Sequence, residues 1–252
     1  MVVLVLPRQM QLKNDSLTIH VETLQNLFLP IFPLLNGDLF HNQPPSTSHL
    51  PQFLTNPDLP LPRLIVFDLD YTLWPFWVDT HVTPPLKPNP AHSAASDRYG
   101  EDFAFYVDVP EILYALPRAG VKIGVASRTS APSLARDLLK MLHIPPPHHA
   151  EQDGKPEKTK RAADVFDAGV EAYPGSKLKH MEALSKRTGI PYSEILFFDD
   201  EARNRETESL GLTMYWVKDG VSWGEVEKGV NEWRKRRGYI QPAATNGTDG
   251  TS

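Results

Sequence analysis

Short apolar runs alternate with amphipathic stretches between about residue 61 and residue 240. Four of these runs have the length and the apolar content that are typical of buried strands in a parallel sheet. They cover residues 64–67, 121–126, 194–198 and 213–217. Three of the amphipathic stretches between these apolar runs end at a glycine, which is typical of the end of a helix. These glycines are Gly120, Gly189 and Gly211. This alternation predicts an α/β fold in which helices cover both faces of a mostly parallel sheet.

The helices of this predicted fold have recognisable starts. They are expected over residues 110–119, 130–142, 176–189 and 201–210, and from residue 222 onwards. Ser130, Ser176 and Ser222 are expected to cap the helices that they open, because a serine oxygen can accept a bond from a free amide of the first turn. Glu225 has the capping-box spacing from Ser222.

The two ends of the chain differ in composition from this central part. Residues 1–60 contain several prolines and polar runs, and no sustained helix or strand period, so we expect them to be mostly disordered. Residues 241–252 are rich in Gly, Thr and Asn and are also expected to be disordered. Residues 61–240 are predicted to form one domain.

Composition excludes several classes of function. The chain has no cysteine, which excludes disulfides, thiolate zinc sites and a cysteine nucleophile. Its net charge of −5 argues against a nucleic-acid-binding protein. No apolar run has the roughly 20 residues that a membrane span needs. We expect a monomer that binds neither nucleic acid nor membrane and is cytoplasmic, with nuclear import through the basic run at 234–237 as an alternative.

Two carboxylates directly follow the first predicted strand. Asp68 and Asp70 are separated by Leu69, so on a continuing strand both side chains would point the same way. Two adjacent like charges are unfavourable unless a cation lies between them or one carboxylate holds a proton. The alternative is a turn or a helix cap, but a cap needs one acid. The pair therefore predicts a catalytic or metal-binding site.

Asp199 and Asp200 follow the third predicted strand, at the same edge of the sheet. Acids also stabilise a helix start, which is the alternative interpretation. Together with Asp68 and Asp70 they supply the hard oxygen ligands that Mg²⁺ prefers. We therefore expect Mg²⁺ as the cofactor.

Two further segments offer groups that could bind an anion. A hydroxyl at Ser127, in a strand-to-helix turn with free backbone amides, suits a phosphoryl oxygen, although a simple helix cap is the alternative. Lys177 opens a helix, where a cation is unfavourable for the helix dipole, so its charge is expected to serve a nearby group. An ordinary exposed lysine is the alternative there.

Taken in order, these segments resemble the four motifs of the haloacid dehalogenase (HAD) superfamily. The motif residues are Asp68, Asp70, Thr72, Ser127, Lys177, Asp199 and Asp200. More narrowly, the segments 67–81, 126–129, 173–177 and 197–201 resemble the eukaryotic magnesium-dependent phosphatase-1 family. The resemblance covers residues 61–238 except for 144–172, which we interpret as an insertion.

The resemblance implies a Rossmann-like, three-layer fold with a minimal cap, and Mg²⁺-dependent hydrolysis of phosphate monoesters through an aspartyl-phosphate. It makes Asp68 the nucleophile and a metal ligand. It makes Asp70 the general acid and base, with its main-chain carbonyl as a metal ligand, and Asp200 a further ligand.

The resemblance also implies which residues bind the substrate. Leu69, Ser127, Arg128 and Lys177 would hold the phosphate, with Asp199 and Thr72 in support. The substrate would be a phosphorylated small molecule or a phosphoprotein, with phosphotyrosine or phosphosugars as candidates. The activity would then be that of an acid phosphatase or a protein tyrosine phosphatase.

Three alternative functions remain. A dehalogenase shares the fold, but it attacks carbon and has no use for an acid at Asp70. A phospho-signalling receiver domain carries its acid pair and its phosphorylated aspartate on different strands, unlike the pair here. A pseudo-enzyme that binds partners through its N-terminal extension is disfavoured because every catalytic position holds a competent residue.

Overall fold

Strands and helices alternate along the computed structural model, which describes residues 50–147, 151–152 and 155–240. The strands are β1 (Leu64–Phe67), β2 (Lys87–Pro88), β3 (Ala94–Ser96), β4 (Asp102–Ala104), β5 (Lys122–Ser127), β6 (His143–Ile144), β7 (Glu151–Gln152), β8 (Lys155–Pro156), β9 (Lys160–Arg161), β10 (Gly169–Ala172), β11 (Ile195–Asp199) and β12 (Thr213–Trp216). The α-helices are α1 (Gln52–Thr55), α2 (Val78–His81), α3 (Val109–Arg118), α4 (Pro132–Met141), α5 (Ala162–Val165), α6 (Lys177–Thr188) and α7 (Trp223–Arg236), and 3₁₀-helices lie at Tyr192–Glu194 and Ala202–Leu210.

Five parallel strands form the central sheet, in the order β10–β5–β1–β11–β12. Strand β1 is in the middle, and all four of its residues are buried because both faces of the sheet are covered. The chain passes from β1 to β5 on one side and later enters β11 on the other side. The carboxyl ends of these three strands therefore meet where the strand order reverses, which is where ligands bind in such sheets.

Two apolar clusters cover the opposite faces of the sheet. Ile65 and Phe67 belong to the larger cluster, with side chains of α3, α4 and α7, whereas Leu64 and Val66 belong to the smaller one, with side chains of α6. The alternation follows from the two-residue period of a strand. It produces the three layers that were predicted, and the small antiparallel sheet β2–β3–β4 matches the minimal cap.

Two of the three predicted helix caps are present. Ser176 and Ser222 each accept a hydrogen bond from an amide in the first turn of α6 and α7, respectively. The prediction for Ser130 is wrong, because α4 begins two residues later at Pro132 without a side-chain cap. The Ser130 hydroxyl donates instead to Asp79 Oδ2, at 2.6 Å. A proline lacks an amide hydrogen, so the start of α4 has one group fewer to satisfy.

Residues 50–60, which precede β1, have a defined structure, although the sequence assigned them to a disordered extension. Helix α1 buries Leu54 in the larger cluster. Arg234 of α7 is 1% exposed and donates to the main-chain carbonyls of Phe53 (2.8 Å) and Pro60 (2.9 Å). The segment is therefore held by a side chain of α7, which is distant in the sequence. A local sequence pattern cannot predict such a contact.

The insertion is shorter than the predicted range 144–172. Strands β9 and β10 and helix α5 lie within that range, β10 is an edge strand of the central sheet, and Phe166 is buried. Pairing of β6 with β9 joins the two ends of the remaining excursion, residues 145–159. Strand β10 was not predicted from the sequence because Glu171 interrupts its apolar run. This buried acid forms an ion pair with Arg187.

Parts of the predicted disordered segments lie outside the described residues. These parts are residues 1–49 of the extension and residues 241–252 of the tail. In the described part of the chain, no helix is both long enough and apolar enough to cross a membrane.

Candidate active site

A cavity of about 290 Å³ opens at the carboxyl edge of the central sheet. Six predicted site residues line it, namely Asp68, Asp70, Ser127, Arg128, Lys177 and Asp200. The side chains of Leu69, Thr72 and Asp199 are fully buried and do not line it. The fold therefore brings four separate segments of the chain to one cleft, as expected for strands whose carboxyl ends are aligned.

Lys177 lies between two buried carboxylates. Its Nζ is 2.6 Å from Asp68 Oδ1 and 2.9 Å from Asp199 Oδ2, and it also donates to the main-chain carbonyl of Ala126. Burial alone would lower the pKa of Lys177, but the charges of the two aspartates outweigh burial, so the pKa is raised. The side chain is 1% exposed, which excludes the alternative of an ordinary surface lysine.

The clustered acids outnumber this ammonium. Asp68, Asp199 and Asp200 each offer an oxygen, and these oxygens lie within 4.8 Å of one another. Burial, followed by the charges of Asp199 and Glu201, raises the pKa of Asp200 to about 6. Burial also raises the pKa of Asp68, although Lys177 acts in the opposite direction. Because carboxylate oxygens are the ligands that Mg²⁺ prefers, this donor set fits a hard divalent cation.

Asp70 has different contacts from the other acids. Its Oδ1 accepts hydrogen bonds from Trp74 Nε1 at 2.7 Å and from the Val78 amide at 3.2 Å. Its carboxylate is not among the three clustered acids. Burial raises the pKa of Asp70 to about 6 in spite of the two bonds. A carboxyl group of this kind can both give and take a proton near neutral pH.

The end of β5 and the turn that follows it bring Ser127 and Arg128 to the cavity. Ser127 Oγ accepts a bond from the Thr129 amide at 3.3 Å, and Arg128 Nη1 donates to Asn204 Oδ1 at 3.4 Å. Ser127 does not cap a helix, because α4 begins only at Pro132. A hydroxyl and a guanidinium at a cavity rich in acids provide donors for an anion such as a phosphoryl group.

Asn204 is a buried residue of the site that sequence reasoning missed. Its Nδ2 donates to both carboxylate oxygens of Asp199, at 2.8 Å each, and its Oδ1 accepts from Arg128. The amide thus links the acidic loop after β11 to the turn after β5. The sequence shows only that a polar residue lies in the first turn of the helix after Asp199 and Asp200. The hydrogen-bond partners of Asn204 depend on how the loop after β11 packs against the turn after β5.

Two partly exposed tryptophans contact the site loops. Trp77 lines the cavity and is 50% exposed, and its ring meets that of Tyr71 edge-on with centroids 5.1 Å apart. Trp216 donates from Nε1 to the main-chain carbonyl of Asp200 at 2.7 Å. The sequence did not indicate a role for Trp216, because that role depends on a contact between β12 and the loop after β11.

The segment that forms the sheet and the site matches known proteins. A family model described as Acid Phosphatase matches residues 60–236. A HAD-like hydrolase superfamily protein of Schizosaccharomyces pombe is 43% identical over 157 residues, which are 62% of this chain and 86% of that protein. Magnesium-dependent phosphatase 1 of Homo sapiens is 40% identical over 178 residues, which are 69% of this chain and 89% of that protein. The chain belongs to the acid phosphatase family.

Proposed function

We propose that this protein is a Mg²⁺-dependent phosphatase that hydrolyses phosphate monoesters through an aspartyl-phosphate on Asp68. The observation that carries the proposal is a single cavity in which Asp68, paired with Lys177, lies beside Asp70 and Asp200. Membership of the acid phosphatase family supports the class of reaction, and the name of the human relative supports the metal.

Mg²⁺ would be held by the carboxylates of Asp68 and Asp200 and by the main-chain carbonyl of Asp70. When bound, it supplies positive charge that stabilises the transferred phosphoryl group. Asp199 has a different task in this proposal, because Asn204 and Lys177 already occupy its two oxygens. It orients the lysine.

The first step of the proposed reaction forms the covalent intermediate. An oxygen of Asp68 attacks the phosphorus atom, and the bond from phosphorus to the ester oxygen breaks. Asp70 gives its proton to the leaving ester oxygen. Ser127, Arg128 and Lys177 bind the phosphoryl oxygens, since phosphoryl transfer depends mainly on positioning and on charge stabilisation.

The second step releases phosphate. Asp70, now ionised, accepts a proton from a water molecule, whose oxygen attacks the phosphorus atom of the aspartyl-phosphate. The bond between phosphorus and Asp68 breaks, inorganic phosphate leaves, and Asp70 again holds the proton. Its pKa of about 6 suits both directions of proton transfer near neutral pH.

Within the two candidate substrate classes, we infer a preference for aryl phosphates such as phosphotyrosine over phosphosugars. The support is the exposed ring of Trp77, which lines the cavity and can stack on an aromatic leaving group. In a comparison of phosphotyrosine with a hexose phosphate, Trp77→Ala should lower kcat/KM for the aryl ester alone. Equal losses for both substrates would remove this support.

Release of nitrophenol from nitrophenyl phosphate, with and without a chelator, tests the proposed function. Turnover should require Mg²⁺ and should be abolished by Asp68→Asn. Asp70→Asn should release a burst of about one equivalent and then slow, because nothing remains to deprotonate the hydrolytic water. Asp137→Asn, at an exposed position of α4, is the matched control. Turnover that survives the chelator or the Asp68 change would reject the proposal.

A further inference from the structure

A turn of the chain after β1 brings the indole of Trp74 back beside Asp70. The amides of residues 72–74 all donate to the main-chain carbonyl of Leu69, at 2.8–3.3 Å. As a result, Asp70 and Trp74 form an isolated bridge. The contact between the indole and the carboxylate therefore follows from local chain geometry at the end of the central strand.

The indole ring has little freedom to move. Trp74 is fully buried, and its ring is stacked with Phe76 at 5.3 Å and with Phe105 at 5.9 Å between centroids. Its Nε1 lies 2.7 Å from Asp70 Oδ1, and the Val78 amide donates to the same oxygen from 3.2 Å. Two donors held by the fold thus converge on one oxygen of the carboxyl group.

We propose that Trp74 is a positioning residue which, with the Val78 amide, orients Asp70 so that Oδ2 exchanges the proton with substrate and water. This inference rests on the proposed function and adds the atom through which Asp70 acts. Oδ1 could take a proton only by giving up at least one of its two hydrogen bonds. Among the described residues Oδ2 has no hydrogen-bond partner, and Asp70 lines the cavity.

The consequence depends on the leaving group. In the first step the proton moves from Oδ2 to the ester oxygen while the bond from phosphorus to that oxygen breaks. An alkyl leaving group needs this proton, whereas nitrophenolate is stable without it. A carboxyl group that turns away after the loss of the indole N–H should therefore slow the cleavage of alkyl phosphates selectively.

Trp74→Phe removes the N–H donor and keeps an aromatic ring against Phe76 and Phe105. The quantity to measure is kcat/KM, because it reports only the steps up to departure of the alcohol. For a simple alkyl phosphate it should fall about 10–100-fold, and for nitrophenyl phosphate less than about threefold. A purely structural role would lower both values by the same factor.

Two further variants make the test independent of folding defects. Trp233→Phe is the matched control, since Trp233 is also fully buried and its Nε1 donates to the Ser193 carbonyl at 2.9 Å, outside the cavity lining. It should not change the ratio of the two kcat/KM values. Val78→Pro removes the second donor at the first position of α2, where proline is tolerated, and should reproduce the selective loss.

The outcomes separate this inference from the proposed function. If the wild-type protein is active and neither Trp74→Phe nor Val78→Pro changes the ratio of the two kcat/KM values, the inference is overturned and the proposed function is not. A wild-type protein without turnover of either ester would reject the proposed function, and the inference with it.

Discussion

The ammonium of Lys177 and the acids beside it depend on one another. Lys177→Ala would leave Asp68 and Asp199 buried without their shared counter-charge. We expect kcat/KM for nitrophenyl phosphate to fall roughly 10²–10³-fold, as when a preorganised donor is removed from other active sites. Lys179, an exposed lysine of the same helix, provides the control, and Lys179→Ala should behave like the wild type. Near wild-type kinetics for Lys177→Ala would contradict its role.

Asp70 is expected to destabilise the metal-free protein at neutral pH. Its pKa is about 6 in the folded state, against 3.8 for an ordinary aspartate. Above pH 6 the carboxyl is ionised in both states and the folded state bears the cost of burying the charge. Below pH 3.8 it is protonated in both states and the cost is absent.

Asp70→Asn should therefore raise the free energy of unfolding by about 2–3 kcal/mol at pH 7. The gain should shrink as the pH falls from about 6 to about 4. Urea unfolding of the wild type and of Asp70→Asn in the presence of a chelator measures this difference in the free energy of unfolding. The other titratable groups are the same in both proteins, so their contributions largely cancel. A gain that does not vary with pH would mean that it comes from packing.

Among the secondary-structure elements, α1 and the chain that leads to β1 pack on the domain that contains the candidate site. Deleting residues 1–58 removes the Leu54 side chain and the Phe53 carbonyl, and leaves Arg234 buried with fewer acceptors. Compared with deletion of residues 1–49, this should lower the free energy of unfolding by about 2–4 kcal/mol. Chemical denaturation of the two truncated proteins provides the comparison. Equal stabilities would show that the segment is not part of the stable fold.

A local sequence pattern predicts a strand best when all residues of that strand have the same buried environment. The inner strands β1, β5 and β11 are apolar because both faces of the parallel sheet are covered there, so their sequences differ from those of neighbouring segments. Strand β10 lies at an edge and carries Glu171, whose burial depends on Arg187 of α6. Its sequence therefore lacks the apolar run that marks the other strands.

For the folded domain as a unit, Mg²⁺ should act as a stabilising ligand. The oxygens of Asp68 and Asp200 lie close together only in the folded state, so a cation that binds them raises the free energy of unfolding. At 100 times the Kd the gain is about 2.7 kcal/mol. Thermal unfolding at increasing Mg²⁺ should show it. Asp200→Asn should lose most of the gain and Asp137→Asn should keep it, whereas a wild-type Tm independent of Mg²⁺ would contradict the site.

The position of the candidate site could be predicted because it depends on a general property of parallel sheets. Acids that directly follow β1 and β11 must come together when those strands pair side by side. Helix α6 begins at the same edge, which brings Lys177 to them. Local patterns therefore sufficed to identify Asp68, Asp70 and Asp200 as neighbours.

The partners that orient these residues could not be derived in this way. Asn204 bonds Arg128 from another loop, Trp216 bonds Asp200 from another strand, and Arg234 bonds Pro60 across 174 residues of chain. A buried polar group takes whichever donor or acceptor the packing of the layers brings within about 3 Å. Apolar periodicity specifies which side of a helix or strand is buried, and the choice among distant polar partners is made only when those buried sides meet.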